Sequence, residues 1–114
     1  MKDPFSSDLT PQPVAPRKLL EKDIENPCKT WARARGSYCR KFVSTANRSV
    51  PDDLMITRGW VWFAEFKKPG GKLTENQQEE HDAIRAAGGE VYVFDNVEDF
   101  KRKHREIEAR VPRI

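Results

Sequence analysis

Apolar residues recur along the chain with two different spacings, which divide it into predicted helices and strands. From residue 17 to residue 35 they recur every three or four positions, the spacing of one helix face, at Leu20, Ile24, Cys28 and Trp31. Pro27 lies within this segment, so the pattern allows either a kinked helix or two segments that meet there. Gly36 is the predicted end of the helix.

The next apolar segments are typical of strands. Tyr38–Thr45 is one predicted strand, and Leu54–Ile56 and Trp60–Phe66 flank a Thr-Arg-Gly sequence, which predicts a tight antiparallel hairpin. Strand side chains alternate between faces. One face of the third strand therefore carries Val61, Phe63, Glu65 and Lys67, and the other carries Trp60, Trp62, Ala64 and Phe66.

Two more helices and one strand follow. Thr74 is the predicted N-cap of a helix that runs to about Ala87, with Gln77 as its reciprocal capping partner. Glu90–Asp95 predicts a strand covered on both faces, and Val97 begins an amphipathic helix that runs to about residue 110. The order αβββαβ plus a terminal helix predicts an α/β fold, a mixed sheet flanked by helices.

Length and composition favour one domain in 114 residues, from residue 17 to residue 114. Met1–Pro16 is rich in proline and poor in apolar residues, which predicts a flexible arm. The net charge of +3 suits a nucleic-acid partner without requiring one. Without a membrane-spanning run or a signal-peptide pattern, we expect no membrane association and a cytoplasmic location. Cys28 and Cys39 lack zinc-site spacing, so we expect free thiols.

The hairpin also carries the candidate chemistry. Asp52 and Asp53 begin its first strand, and Glu65 and Lys67 end its second strand on one face, so an aspartate carboxylate is expected beside Glu65. Clustered carboxylates suit Mg²⁺ or Mn²⁺, and a lysine can orient water or offset phosphate charge. The structural alternative is a turn aspartate after Pro51 and an ion pair on an edge strand.

Pro51-Asp52 followed by Glu65-x-Lys67 resembles the PD-(D/E)XK nuclease superfamily. The longer pattern is similar to its VRR-NUC branch and spans Glu21 to about Phe100, with further matches at Ile24, Gly71, Gln77 and the closing Gly-Gly plus strand. Ser49 stands where many relatives have glycine. The resemblance implies a restriction-endonuclease-like core.

The resemblance also implies an activity, a cofactor and a set of site residues. It implies an endonuclease, encoded by phages in many cases, that forms homodimers and cuts branched DNA such as Holliday junctions with Mg²⁺ or Mn²⁺. The implied metal ligands are Glu21, Asp52, Glu65 and the Phe66 carbonyl, and the implied catalytic residues are Asp52, Glu65, Lys67 and Gln77. Whether Glu25 or Asp53 assists stays open. The alternatives are a non-catalytic DNA-binding module and a small interaction domain.

Basic residues near these motifs are candidate DNA contacts. Cations that follow a glycine-rich turn or line a helix face can neutralise phosphates, although each could equally be a solvated surface charge. The candidates are Lys41, Arg48, Lys68, Lys72, Lys101 and Arg102.

Overall fold

The computed structural model describes residues 18–114, so the predicted arm, Met1–Pro16, lies outside the described residues. The elements in chain order are α1 (Glu21–Ala34), β1 (Tyr38–Lys41), β2 (Asp53–Thr57), β3 (Trp60–Phe66), α2 (Glu75–Ala86), β4 (Val91–Phe94) and α3 (Val97–Glu108). The predicted α/β class and the order αβββαβ plus a terminal helix are confirmed.

One mixed sheet has the strand order β1-β2-β3-β4. The first three strands are antiparallel, whereas β3 and β4 are parallel and are joined through α2. The β2–β3 hairpin turns at Arg58 and Gly59, which both have positive φ as a tight hairpin turn requires. Its register places Asp53 opposite Ala64 and Thr57 opposite Trp60.

Helices α1 and α3 cover one face of the sheet and form the core with it. Met55, Trp62, Ala64 and Phe66 point from the sheet into this core, as the alternation along β3 predicts. Phe100 of α3 is fully buried, and its ring lies 5.7 Å from that of Phe66 and 5.8 Å from that of Trp62. Aromatic packing therefore fixes α3 on the sheet.

Three local expectations are wrong. β1 ends at Lys41 instead of Thr45, because the chain leaves the sheet to form the loop before β2. Leu20 is exposed at the N-cap of α1 instead of extending its apolar face. β4 is an edge strand, so Val93 is 39% exposed instead of covered. Of the two alternatives left open at Pro27, the structure has the undivided helix. Cys28 and Cys39 are free thiols, as predicted.

The amino ends of all three helices lie at the same end of the sheet, where the carboxyl ends of β3 and β4 are. The charge of Glu21, the first residue of α1, acts on Glu65 near the end of β3. Gln77 in the first turn of α2 accepts a hydrogen bond from Lys67, and α3 begins just after β4, whose Phe94 carbonyl accepts from the Lys67 amide at 2.8 Å. None of the helices formed by residues 18–114 is long and apolar enough to cross a membrane.

The C-terminal segment packs against the β2–β3 hairpin. The Arg113 amide donates to the Arg58 carbonyl at 2.9 Å, and the Trp60 indole donates to the Val111 carbonyl at 2.9 Å. The guanidinium of Arg113 also lies 5.0 Å from the centre of the Trp60 ring. A Cβ at Gly59 would stand 2.0 Å from the Arg113 carbonyl oxygen, so only glycine permits this approach.

We expect Gly59→Ala to lower the free energy of unfolding more than Gly36→Ala, as measured by urea denaturation. Both glycines have positive φ, which costs an L-residue about 1–2 kcal/mol. A Cβ at Gly36 meets open space, whereas one at Gly59 must displace the backbone of Arg113. Equal losses for the two variants would show that the C-terminal segment does not stabilise the hairpin.

Candidate active site

Asp52 and Glu65 form the centre of the candidate site. Asp52 precedes β2, and its Oδ2 accepts a hydrogen bond from the Phe66 amide at 2.8 Å. Glu65 is only 2% exposed, and the register of the hairpin places it beside Asp52. Burial raises the pKa of Glu65 to about 9, and the Asp52 carboxyl and the Glu21 charge act in the same direction. Glu65 is therefore protonated at neutral pH in the protein alone, and a bound cation would be needed to ionise it.

Lys67 is the cation that lies on the same strand face as Glu65. Its side chain is largely buried, its charge lowers the pKa of Glu65, and its Nζ donates to Gln77 Oε1 at 2.8 Å. The same Gln77 oxygen accepts from the Thr74 amide at 3.0 Å, and Thr74 Oγ1 accepts from the Gln77 amide at 3.1 Å. Gln77 is thus both the predicted capping residue of α2 and a direct contact of Lys67.

His81 belongs to this cluster, although the sequence analysis did not place it there. Its ring is fully buried, and its Nε2 lies 3.4 Å from Glu65 Oε1. Burial lowers the pKa of His81, which favours the neutral imidazole. The available signal was its spacing, because His81 is four residues after Gln77 and therefore lies on the same helix face.

Asp53 points to the opposite face of the sheet from Asp52. It is fully buried against α1, where Lys29 Nζ lies 3.0 Å from Asp53 Oδ1 and 3.7 Å from Glu25 Oε2. Lys41 Nζ lies 3.3 Å from the same Glu25 oxygen. The two aspartates of the Pro-Asp-Asp motif therefore enter different clusters, and Asp53 ties β2 to the helix that carries Glu21.

The Asp53 and Glu25 carboxyls are neighbours, and their pKa values move apart. Burial and the neighbouring Glu25 carboxyl together raise the pKa of Asp53 to about 7. Burial also opposes ionisation of Glu25, but the neighbouring Asp53 and the charges of Lys41 and Lys29 lower its pKa overall. Glu25 is thus the ionised member, and the lysines offset the charge of this second cluster.

The predicted metal ligands are brought together in part. Asp52 and Glu65 are adjacent, whereas Glu21 is exposed and acts on Glu65 through its charge. Among residues 18–114, no three His, Cys, Asp or Glu side chains converge closely enough to hold a metal by themselves. Continuing the register places Pro51 opposite Phe66, and proline has no amide hydrogen to donate to the Phe66 carbonyl. The available donors are hard oxygens, which fit Mg²⁺ or Mn²⁺.

The predicted DNA contacts occupy several surfaces. Lys41 and Arg48 line a cavity that reaches Asp52, and Lys68 and Lys72 are exposed in the connection that follows Lys67. The other two residues lie on α3 with different neighbours. Lys101 Nζ is 5.6 Å from the Trp31 ring, and Arg102 pairs with Asp99 at 2.6 Å.

Comparison with known proteins finds similarity in both sequence and structure, although no family model matches the chain. A solved structure described as a VRR_NUC domain superposes with a TM-score of 0.68 and 28% identity, over 80% of this chain and 97% of that one. The protein named "Putative nuclease p44", from Acyrthosiphon pisum secondary endosymbiont phage 1, is 38% identical over 81 residues. That alignment covers 70% of this chain and 87% of the phage protein. The chain belongs to the VRR-NUC family.

Membership confirms the resemblance that was based on Pro51-Asp52, Glu65-x-Lys67 and Gln77. The residues of those motifs are joined by hydrogen bonds, from the Phe66 amide to Asp52 and from Lys67 to Gln77. Asp52, Glu65, Lys67 and Gln77 come from three separate segments and meet at this end of the sheet. The Asp53–Lys29 contact lies on the opposite face of the sheet at the same end.

We expect Lys29→Met to lower the free energy of unfolding by about 3 kcal/mol, because it leaves buried carboxyl groups without their cation. Lys41→Met is the matched control. The side chain of Lys41 is 55% exposed, against 15% for Lys29, so its loss should cost less than about 1 kcal/mol. Urea denaturation of both variants at neutral pH measures the difference. Equal and small effects would remove Lys29 from the contacts that hold α1 against β2.

Proposed function

We propose that this VRR-NUC protein is a DNA endonuclease that hydrolyses phosphodiester bonds with Mg²⁺ or Mn²⁺. The observation that carries the proposal is the pairing of the half-buried Asp52 with the buried Glu65, with Lys67 on the same strand face as Glu65. Burying two carboxylates side by side is unfavourable unless a cation offsets them. A divalent ion at this end of the sheet would offset the two carboxylates. It would also lower the pKa of Glu65 enough for Glu65 to be ionised at neutral pH.

Asp52, Glu65 and the Phe66 carbonyl would hold the ion, with Glu21 as a further ligand from α1. Mg²⁺ or Mn²⁺ held there supplies Lewis acidity toward a phosphodiester and makes water more acidic. The Phe66 amide donates to one oxygen of Asp52, so the other oxygen of that carboxylate would be available to hold the ion. Contacts that set a ligand's orientation in this way also determine how well it binds.

Lys67 would position the attacking water and offset negative charge on the phosphate. Gln77 Oε1 holds the ammonium group by a 2.8 Å hydrogen bond, and Thr74 in turn holds Gln77. This arrangement removes the rotational freedom that an exposed lysine would have. A preorganised cation stabilises the charge that develops in the transition state without reorganisation.

The surface around the pair would bind the DNA backbone. Lys41, Arg48, Lys68 and Lys72 would supply the positive charge near the site, since acidic residues in the first turns of the three helices offset the helix dipoles. We also assign Lys101 and Arg102 to DNA contact.

We further propose a homodimer that acts on branched DNA such as Holliday junctions, in the cytoplasm of the host cell. A two-fold symmetric dimer presents two active sites, as a symmetric junction requires. The face of the sheet opposite α1 and α3 supports the dimer. It exposes two valines, Val61 (51% exposed) and Val93 (39% exposed), with the buried Val91 between them. A second copy would cover these two valines.

We expect Asp52→Asn and Glu65→Gln each to reduce cleavage by about a thousandfold, since each removes a charge that holds the metal. Binding to the same DNA in EDTA should persist, because the basic surface is unchanged. Asp82→Asn changes an aspartate on the exposed side of α2 and is the matched control. Cleavage of junction, flap and duplex DNAs with Mg²⁺, Mn²⁺ or EDTA measures the effect. Near-normal cleavage by either variant would remove the metal-site assignment.

We expect Val61→Lys combined with Val93→Lys to convert the homodimer to a monomer, because lysines on a buried symmetric face repel their counterparts. Val111→Lys changes an exposed valine of the C-terminal segment and should leave the dimer intact. Light scattering over a range of concentrations measures the mass. A wild-type protein that is monomeric at every concentration would overturn both the dimer and its match to a symmetric junction.

A further inference from the structure

A cavity of about 480 Å³ opens beside Asp52, between the end of β1 and the loop that leads to β2. Its walls include the apolar side chains of Phe42, Val43 and Val50, and Lys41 and Arg48 also line it. The cavity thus combines apolar walls with two cations and borders the proposed metal-binding pair. Its volume lies within the range of about 300–1,000 Å³ that is usual for small-molecule sites.

The loop that forms this cavity is held in place by its own hydrogen bonds. Asn47 donates from its backbone to Ser44 Oγ at 3.2 Å and accepts from the Ser49 amide at 2.8 Å. The Asn47 side chain also donates to Glu80 Oε2 of α2 at 2.7 Å. The cavity wall is therefore tied to the helix that carries Gln77.

The floor of the cavity is fixed as well. The Phe42 amide donates to the Asp52 carbonyl at 2.8 Å, which extends the pairing of β1 and β2 by one residue. The Phe42 ring packs 5.4 Å from the Phe63 ring of β3. An aromatic ring held in this way is a stable surface for a planar ligand.

We propose that this cavity binds one unpaired nucleotide of the DNA strand, next to the phosphodiester that is cleaved. The inference rests on the proposed function and names the substrate class: DNA in which an unpaired nucleotide adjoins the cleaved bond. Apolar walls suit the faces of a base, and the cations suit its phosphate. Because the cavity reaches Asp52, a nucleotide inside it lies beside the reacting phosphate.

Base pairing decides which DNA can use this cavity. A base within a duplex is stacked on its neighbours and hydrogen-bonded to its partner, so it enters a protein pocket only at the cost of unstacking and unpairing. An unpaired nucleotide at a branch, gap or bulge has no pairing to break. The cavity therefore selects for positions where pairing has already been lost.

The test uses two DNA duplexes that differ in one chemical group. One carries a single unpaired thymidine, and the other carries an abasic residue at the same position, so that the phosphates are identical. We expect the wild-type protein to bind the thymidine duplex about tenfold more tightly, the size of one base-stacking contact. Fluorescence anisotropy in EDTA measures binding without cleavage, and cleavage with Mg²⁺ is measured in parallel.

Thr45→Trp fills the cavity from an exposed position, so this variant should bind the thymidine and abasic duplexes about equally. Thr30→Trp, at an exposed threonine of α1, adds the same side chain away from the cavity and should keep the preference. Equal binding of the two duplexes by the wild type, or a preference that survives in Thr45→Trp, would overturn the assignment. If the preference is present in EDTA but no DNA is cleaved with Mg²⁺ or Mn²⁺, the cavity assignment stands and the proposed catalytic function fails.

Discussion

The register between β2 and β3 is the constraint on which the rest of the structure depends. Asp53 pairs with Ala64, and this single pairing places Asp52 beside Glu65 and directs Met55 and Trp62 into the core. Because strand side chains alternate, burial of the core residues and assembly of the charged pair are two results of one hydrogen-bond pattern. The hydrophobic face therefore stabilises the geometry of a site that is electrostatically unfavourable by itself.

The protein treats its two carboxyl clusters differently. Behind the sheet, Lys29 approaches Asp53 to within 3.0 Å, so the negative charge is offset from within the chain. On the other face, Lys67 is held by Gln77, and the pKa of Glu65 is raised to about 9, against about 7 for Asp53. A strongly raised carboxyl pKa is common at functional sites, because a bound cation regains the interaction energy that the protein alone does not supply. The difference between the clusters separates a structural contact from a binding centre.

Much of this arrangement was predictable from local sequence patterns. The hairpin, the faces of β3 and the Thr74–Gln77 cap depend on neighbouring residues, and the structure has all three. The hairpin predicted that one of the two aspartates lies beside Glu65, and the family resemblance selected Asp52. The contacts of Lys29 and His81 depend on how α1 and α2 dock on the sheet, which no local spacing specifies. The exposure of Val93 similarly depends on β4 lying at the sheet edge, where α2 covers only part of the face.

The alternation of Asp52 and Asp53 also limits how this family can vary in length. An insertion or deletion of one residue between Met55 and the hairpin turn would exchange the two aspartates between faces and turn Met55 outward. The site and the core would therefore both be lost in one step. The loop before Pro51 can change in length without turning any side chain to the other face, because its residues are not paired in the sheet. Evolution can therefore lengthen, shorten or rebuild this loop, and with it the cavity beside Asp52, while the carboxylate pair stays in place.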